Sequence, residues 1–184
     1  VRLAVADVKR AISIHEYAAE KLDAGRPEGK PAAEERHGRY YATFGTEVAI
    51  AALSTHGGVR RRRVLALELD NLVAALSRAV QPGRVDLQVA VDCYRAAYEV
   101  LELHGPCTLG IALGTQLLAK DGLDDAQRAA VLGRLGMSLR FAGRAEEGGS
   151  MVEQALALAR AEGDRPREAA VRGSLGNLRR DQGK

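Results

Sequence analysis

Histidine and cysteine, the side chains that most often bind metals or act as nucleophiles, are few and scattered in this chain. Cys93 and Cys107 lie too far apart to form a Cys-x-x-Cys pair. No two histidines have the His-Glu-x-x-His spacing that places two ligands on one helix face, since the four lie at positions 15, 37, 56 and 104. These spacings favour buried, reduced thiols and predict no metal centre.

Phosphate chemistry and covalent catalysis also lack their sequence patterns. The Gly-x-x-x-x-Gly-Lys-Ser/Thr loop that holds nucleotide phosphates does not occur, because Gly29-Lys30 and Gly183-Lys184 lack its other residues. No serine lies in the strand-turn-helix elbow that exposes a nucleophile. We therefore predict no catalysis by this chain and no cofactor. A hydrolase that uses carboxylates is the enzyme alternative, and the sequence shows no constellation for it.

Four consecutive arginines at residues 60–63 form the most prominent charge run. Adjacent arginines on a helix point in different directions, and no aromatic residues lie between them for base stacking. We interpret the run as a solvated helix start or an interdomain contact, with nucleic-acid contact as the less favoured alternative. Asp70 and Asn71 lie inside an apolar helix pattern, and we favour structural hydrogen bonding over ligand binding for them.

The elements that must position these side chains are predicted to be helices. Aromatic residues make up 4% of the chain, and alanine, leucine, arginine, glutamate and glycine dominate. Such a composition suits helices better than sheets. No apolar run is long enough to cross a membrane and no signal-peptide pattern is present, so we expect a cytoplasmic protein.

A repeat indicates how the helices are arranged. Leu135-Gly136 recurs 40 residues later as Leu175-Gly176, and a turn glycine recurs at the same offset. A period of this length is typical of helical solenoids, in which each hairpin buries its apolar face against its neighbours. The sequence therefore predicts an all-α, right-handed α-α superhelix built from antiparallel helix hairpins.

The spacing around Leu135-Gly136 matches the tetratricopeptide pattern. Leu132 and Leu139 occupy bulky positions of the first helix, while Gly148 and Val152 occupy a small and a bulky position of the second. Small residues let the two helices of a hairpin approach closely. A large side chain at position 136 is therefore predicted to cost about 1–3 kcal/mol through overpacking.

We expect two parts in the chain. A helical N-terminal portion would cover residues 1–80 and contain an exposed loop at 23–35, where glycines and prolines interrupt the backbone. Tetratricopeptide-like repeats would cover 84–184, as units of about 84–122, 123–164 and an incomplete 165–184. Asp124 or Asp125 is expected to cap a helix. Helices are predicted at 13–22, 32–53, 61–80, 86–103, 108–120, 124–141, 145–161 and from about 167.

The two ends of the sequence suggest part of a longer protein. The chain begins at Val1 without methionine and ends within the second copy of the repeat. We expect residues after about Leu175 to be frayed, or to be covered by a neighbouring molecule or in a homo-oligomer, because a helix that would bury them is absent.

The concave face of such a solenoid is the predicted functional surface. First helices of successive hairpins line this face, so their residues outside the packing stripe share a groove. We predict that the basic end of the groove, from 134 to 180, binds an acidic or carboxylate-bearing protein segment, with arginines as forked donors and Asn177 bonded to peptide backbone. A merely solvated face is the alternative interpretation. The predicted partner-binding residues are Arg95, Glu99, Glu102, Arg134, Met137, Arg140, Asn177 and Arg180.

Several segments, in order and spacing, resemble one known family. They read SIHEYAAEKL at 13–22, RHGRYY at 36–41, LELDNLVAAL at 67–76 and ALALARAEGD at 155–164. The sequence is similar to the tetratricopeptide-repeat region that follows the nucleotide-binding and winged-helix modules of bacterial STAND-type signalling ATPases. The resemblance implies a sensor or regulatory arm that contacts other domains of the same chain, without the ATPase machinery itself.

Together these features predict a non-catalytic region for protein or ligand recognition within a larger signalling or transcription-regulating ATPase. A free-standing tetratricopeptide adaptor or oligomerisation scaffold would use the same surfaces and is the main alternative. A DNA-contacting regulator acting through residues 60–63 is the less favoured one.

Overall fold

The computed structural model describes residues 29–83 and 85–181. The chain divides into two compact units, Val1–His37 and Gly38–Lys184. The described residues of the first unit, 29–37, are helical. The helix predicted at 13–22 lies outside the described residues. Everything that follows concerns the second unit, apart from the start of the first helix.

Four α-helices and a short 3-10 turn occur in the described residues from 29 to 79. Helix α1 spans Gly29–Ala42 and is followed by the 3-10 turn Thr43–Gly45. Helices α2, α3 and α4 span Glu47–Ala52, Gly58–Leu67 and Leu69–Ala79. They are shorter than the sequence pattern predicts.

Five further helices follow, and their bounds agree with the prediction to within a few residues. They are α5 (Leu87–His104), α6 (Cys107–Leu118), α7 (Asp125–Phe141), α8 (Ala145–Ala161) and α9 (Arg165–Asp181). Helices α5 and α6 form one hairpin, and α7 and α8 form the next. Every regular element in the described residues is helical, so the all-α prediction and the solenoid-like series of hairpins are confirmed. The handedness of the superhelix stays a prediction.

Polar caps and glycines mark where these helices begin and end. Asp86 accepts a hydrogen bond from the backbone N–H of Val89 at 3.1 Å. Asp124 accepts one from Gln127 N at 2.7 Å, and the Gln127 side chain accepts one from Asp124 N at 3.2 Å, which completes a capping box. Gly143, at a φ of 78°, turns the chain from α7 into α8. Such caps depend on neighbouring residues, which explains why the sequence predicted the bounds of these helices well.

Two apolar cores stabilise the unit. The larger one extends from Ala42 to Val131 and includes the fully buried Leu72, Leu76 and Tyr94. The smaller one joins α7, α8 and α9 through residues such as Val152. Helices α4 and α5 share the larger core although they lie on opposite sides of the boundary expected at residues 80–84. That boundary stays a prediction.

Residues 29–35 differ from the prediction, because they belong to α1 and not to an exposed loop over 23–35. Pro31 is compatible with this helix, since it lies in the first turn, where its missing N–H would have no helical acceptor. Residues 23–28 lie outside the described part of the chain.

The single helix predicted over 32–53 is divided at Thr46. The backbone of Thr46 is extended, with a ψ of 154°, and its hydroxyl accepts a hydrogen bond from Ala49 N at 3.3 Å, so it caps α2. Gly45 lies against α5, where an added Cβ would overlap the backbone of Asp92. A contact with a distant helix therefore interrupts a locally helical pattern.

The helix predicted over 61–80 is likewise divided, at Glu68. The Glu68 carboxylate accepts hydrogen bonds from Tyr41 OH at 2.9 Å and from Asn71 Nδ2 at 2.8 Å. Asn71 therefore has the structural hydrogen-bonding role predicted for it.

The four arginines at 60–63 begin helix α3 and include two that contact other helices. Arg61 donates to the backbone oxygens of Ala52 at 3.0 Å and His56 at 2.8 Å, which satisfies a carbonyl at the end of α2 and one in the loop that follows it. Arg62 forms an ion pair of 3.1 Å with Glu99 of α5. These bonds agree with the interpretation of the run as a helix start in contact with neighbouring elements.

The C-terminal helix is more regular than expected. Helix α9 continues to Asp181, and Leu178 is 1% exposed in the smaller core. The expectation of fraying after about Leu175 is therefore wrong for residues up to 181, because α9 packs on α8 within the chain itself. Within the described residues, no helix combines the length and apolar character needed to span a lipid bilayer.

Candidate functional site

A cavity with a volume of about 260 Å³ lies between α5, α7 and α9, the helices predicted to line the concave face. We call it the arginine groove. Its charged lining consists of Arg95, Arg134, Arg167 and Glu102. Its other lining residues are Tyr98, Ala129, Ala130, Gly133, Met137, Ala170, Val171, Ser174 and Asn177. The lining holds no histidine or cysteine, and its charge is mainly basic.

Helical spacing explains how one face of each helix reaches the groove. Side chains three and four residues apart lie on the same face of a helix. Helix α5 contributes residues 95, 98 and 102, α7 contributes 130, 133, 134 and 137, and α9 contributes 167, 170, 171, 174 and 177. Small residues at 129, 130, 133 and 170 leave the space that the longer side chains border.

The structure brings five of the eight predicted residues to this groove: Arg95, Glu102, Arg134, Met137 and Asn177. Met137 was expected outside the packing stripe, but it is 5% exposed and belongs to the smaller core. It therefore contributes an apolar floor and not a free contact residue. The role of the other four in binding a partner stays a prediction.

The remaining three predicted residues do not line the groove. Glu99 is paired with Arg62 at 3.1 Å. The Arg140 guanidinium lies 5.1 Å from the centroid of the Phe141 ring. Arg180 donates a hydrogen bond of 2.5 Å to Asn177 Oδ1, so the oxygen of the Asn177 side chain, the residue predicted to bond peptide backbone, is engaged within α9.

Arg134 is the least satisfied cation of the groove. Its Nη1 donates to the Ala130 carbonyl at 3.3 Å, and its guanidinium lies 5.7 Å from the centroid of the Tyr98 ring. Its Nε is buried without a hydrogen-bond partner. Among the described residues no carboxylate lies within ion-pair distance of it. Burial, and secondarily the charge of Arg95, lowers the pKa of Arg134, so an added anion at this point would stabilise its charged form.

Arg95 and Arg167 converge on one carboxylate from outside the repeat region. Glu47, the first residue of α2, lies with its Oε1 3.6 Å from Arg95 Nη2 and 3.1 Å from Arg167 Nη2. Arg95 also pairs with Asp92 at 3.3 Å, and Arg167 with Asp164 at 3.2 Å. The Arg167 contact with Asp164 is made by its Nη1, which also lies 3.7 Å from a carboxylate oxygen of Glu162. Arg95 Nε, in contrast, is buried without a hydrogen-bond partner.

Glu102, the acidic residue that lines the groove, already has a hydrogen-bond partner. Tyr98 OH donates to Glu102 Oε1 at 3.1 Å, and burial together with this carboxylate raises the pKa of Tyr98. The Tyr98 phenol therefore stays protonated at neutral pH, and Glu102 is oriented by it. The groups of the groove that still lack hydrogen-bond partners are therefore arginine guanidiniums.

Two residues of this arrangement were not predicted. Arg167 lies four residues before Val171 and therefore on the same face of α9. Extending that face from Asn177 toward the start of the helix would have predicted it. Glu47 carries no such signal, because it lies 120 residues from Arg167 in sequence and only the fold brings them together.

The thiols and the acidic residues show no sign of metal chemistry in the part of the chain that the structure describes. No group of three or more histidine, cysteine or acidic residues there could hold an ion. Cys93 is buried and Cys107 half-buried, both as free thiols. Burial is the main cause that raises the pKa of Cys93 to about 12.

Comparison with known protein families finds a match to part of the chain. Residues 127–184 match the tetratricopeptide repeat family. This segment contains the Leu135-Gly136 and Leu175-Gly176 motifs and two of the three helices that border the groove. No curated protein and no solved structure shows significant similarity to the chain.

Proposed function

We propose that this chain is a recognition region that binds an acidic segment of a protein in the arginine groove. One observation carries the proposal: Arg95 and Arg134, which line the same cavity as Arg167, each have a buried Nε–H without a hydrogen-bond partner. An unsatisfied buried donor costs about 1–3 kcal/mol, and more when it is charged. A ligand carboxylate would supply the missing acceptors.

The chemistry and the size of the groove favour an acidic side chain as the ligand group. Guanidinium groups donate parallel hydrogen bonds that match the two oxygens of a carboxylate. The volume of about 260 Å³ is below the range of about 300–1,000 Å³ that is usual for small-molecule and cofactor pockets. One or two side chains of a peptide fit such a space.

The match of residues 127–184 to the tetratricopeptide repeat family agrees with this role. Arrays of helix hairpins present concave surfaces that bind extended partners, and repeats of this family generally mediate protein-protein interaction. The groove holds arginines, one glutamate and one serine but no nucleophile paired with a base. Recognition without catalysis is therefore the function that we assign.

The larger context is the second part of the proposal. The segments at 13–22, 36–41 and 67–76 resemble the region between the winged-helix module and the repeats of STAND-type signalling ATPases. We propose that the chain acts as the sensor arm of such a cytoplasmic regulator. The upstream coding sequence tests this directly, because a phosphate-binding loop should lie within a few hundred residues of Val1, and an upstream region without one would remove the ATPase assignment.

Binding measurements with peptides test the role of the groove. The probes are fluorescein-labelled peptides rich in glutamate, with matched peptides in which every glutamate is replaced by glutamine. We expect the wild-type chain to bind the acidic set selectively by fluorescence anisotropy. Arg134→Gln should weaken binding by about thirtyfold or more, the usual effect of removing one partner of a desolvated charge pair.

Arg140→Gln is the matched control. Arg140 lies on the same helix and was predicted from sequence to bind the partner, but it does not line the groove. Its substitution should change the affinity little. Equal losses in the Arg134 and Arg140 variants would contradict the assignment of Arg134 as the anchor, and equal binding of the glutamate and glutamine peptides would remove the proposal as a whole.

A further inference from the structure

Two of the three groove arginines are already in contact with a carboxylate of the chain itself. We propose that the Arg95–Arg167 pair is a second carboxylate subsite, which Glu47 occupies in the free chain and which a ligand carboxylate takes over on binding. The inference rests on the proposed function of the groove. It implies that the ligand is a protein segment with two acidic side chains, one for Arg134 and one for this pair.

The position of Glu47 resembles that of a bound ligand group. A single oxygen, Oε1, lies 3.6 Å from Arg95 Nη2 and 3.1 Å from Arg167 Nη2. The two arginines come from α5 and α9 and both line the groove. Two guanidiniums from different helices that converge on one carboxylate form the kind of site that recognises an acidic side chain.

The backbone that carries Glu47 is fixed on α5. Thr46 caps α2 through its hydroxyl, and Gly45 lies so close to Asp92 that a Cβ at position 45 would overlap the Asp92 backbone. Helix α2 itself has no buried residue. The backbone is therefore held at the edge of the groove, while the Glu47 side chain is free to rotate away without loss of an apolar core.

The exposure of the partners explains why a ligand could displace Glu47. The Glu47 side chain is 70% exposed, whereas the side chains of Arg95 and Arg167 are 13% and 18% exposed. An ion pair with so exposed a partner contributes little stability, because water and salt compete with it. Glu47 also leaves Arg95 Nε without an acceptor. A ligand carboxylate in the groove would add an acceptor beside this donor.

The contrast with Arg134 defines the two subsites. Arg134 has no carboxylate within ion-pair distance among the described residues, so its subsite is open in the free chain. The Arg95–Arg167 subsite is filled by an internal competitor. A segment with one carboxylate can bind at Arg134 alone, whereas a segment with two must also displace Glu47.

The test compares Glu47→Gln with the wild-type chain. The probes are fluorescein-labelled peptides with two glutamates separated by increasing numbers of alanines, and counterparts with one glutamate replaced by glutamine. For the two-glutamate peptides of suitable spacing, Glu47→Gln should raise the affinity by up to about fivefold, the range expected when a weak exposed competitor is removed. The one-glutamate peptides, which need only Arg134, should gain much less.

Glu147→Gln is the matched control. Glu147 is also an exposed glutamate in an ion pair, with Arg144 at 2.6 Å, but it lies on α8 outside the groove. It changes the net charge equally and should leave the affinity unchanged. An equal gain in both variants would show a general charge effect and overturn the inference. The unfolding temperature of each variant, followed by circular dichroism, verifies that it is folded.

The outcomes separate this inference from the proposed function. If acidic peptides bind through Arg134 but Glu47→Gln leaves the affinity for two-glutamate peptides unchanged, the second subsite is wrong and the groove function stands. If neither the wild-type chain nor Glu47→Gln distinguishes glutamate from glutamine peptides, both proposals fail.

Discussion

Gly136 is the position at which a one-carbon change tests the packing of the repeat most sharply. A Cβ on Gly136 would lie 2.6 Å from the carbonyl oxygen of Gly148 and 2.6 Å from Cγ2 of Val152. In turn, a Cβ on Gly148 would lie 2.5 Å from the carbonyl oxygen of Gly136. Helices α7 and α8 therefore approach backbone to backbone at this glycine pair.

The expected effect of Gly136→Ala follows from two opposed contributions. Alanine in place of glycine inside a helix stabilises by about 1 kcal/mol. Overpacking a close contact costs about 1–3 kcal/mol, and the upper part of that range applies because a backbone carbonyl cannot rotate away as a side chain can. We expect a net loss of about 1–2 kcal/mol, which for a chain of this size lowers the melting temperature by about 2–8 °C.

Gly176→Ala is the matched control, because Gly176 occupies the same position in the next copy of the repeat. An added Cβ there meets nothing within 4 Å among the described residues. Only the gain in helix propensity remains, so this substitution should raise stability by up to about 1 kcal/mol. Urea and thermal unfolding followed by circular dichroism compare the two variants with the wild-type chain.

The opposite signs at Gly136 and Gly176 are the critical result. If Gly136→Ala were as stable as the wild-type chain, the close approach of α7 and α8 would not limit the packing. If both substitutions were destabilising to the same extent, the cost would lie in the helix itself and not in the contact with Gly148.

Two further predictions concern a thiol and a helix cap. The pKa of Cys93 is raised to about 12, mainly by burial, so the thiol stays protonated at about pH 8. Because the thiolate is the nucleophile, Cys93 should not react with DTNB in the folded chain. Mass spectrometry should find Cys93 labelled only after unfolding, and labelling of the folded chain would contradict its burial. Asp124→Ala removes the capping box of α7 and should lower the free energy of unfolding in urea by about 0.5–2 kcal/mol. Asp121→Ala in the preceding loop is the control and should change it little.

The sequence predicted the helices after residue 85 well, because their ends depend on neighbouring residues. Asp86, Asp124 and Gly143 provide their cap or turn within a few positions of the helix that they limit. The Leu135-Gly136 repeat also identified the hairpin arrangement and the close contact at Gly136. Periodicity and capping are local properties, and a single sequence carries them in full.

The N-terminal helices were predicted less well, because distant contacts interrupt them. Thr46 and Glu68 lie within patterns that are locally helical, but each begins a new helix at a point where the chain contacts a distant residue. Gly45 packs on Asp92, and Tyr41 donates to Glu68. No pattern of neighbouring residues reports such a contact, so a continuous helix was the natural prediction.

The same distinction holds for the arginine groove. Helical periodicity by itself placed Arg95, Glu102, Arg134 and Asn177 on the helix faces that meet there. Only the tertiary structure decided that Glu99 is withdrawn into a pair with Arg62 and that Glu47 reaches Arg95 and Arg167. The physical reason is that helix spacing determines which side chains share a face, whereas charge pairing depends on distances between elements that are far apart in sequence.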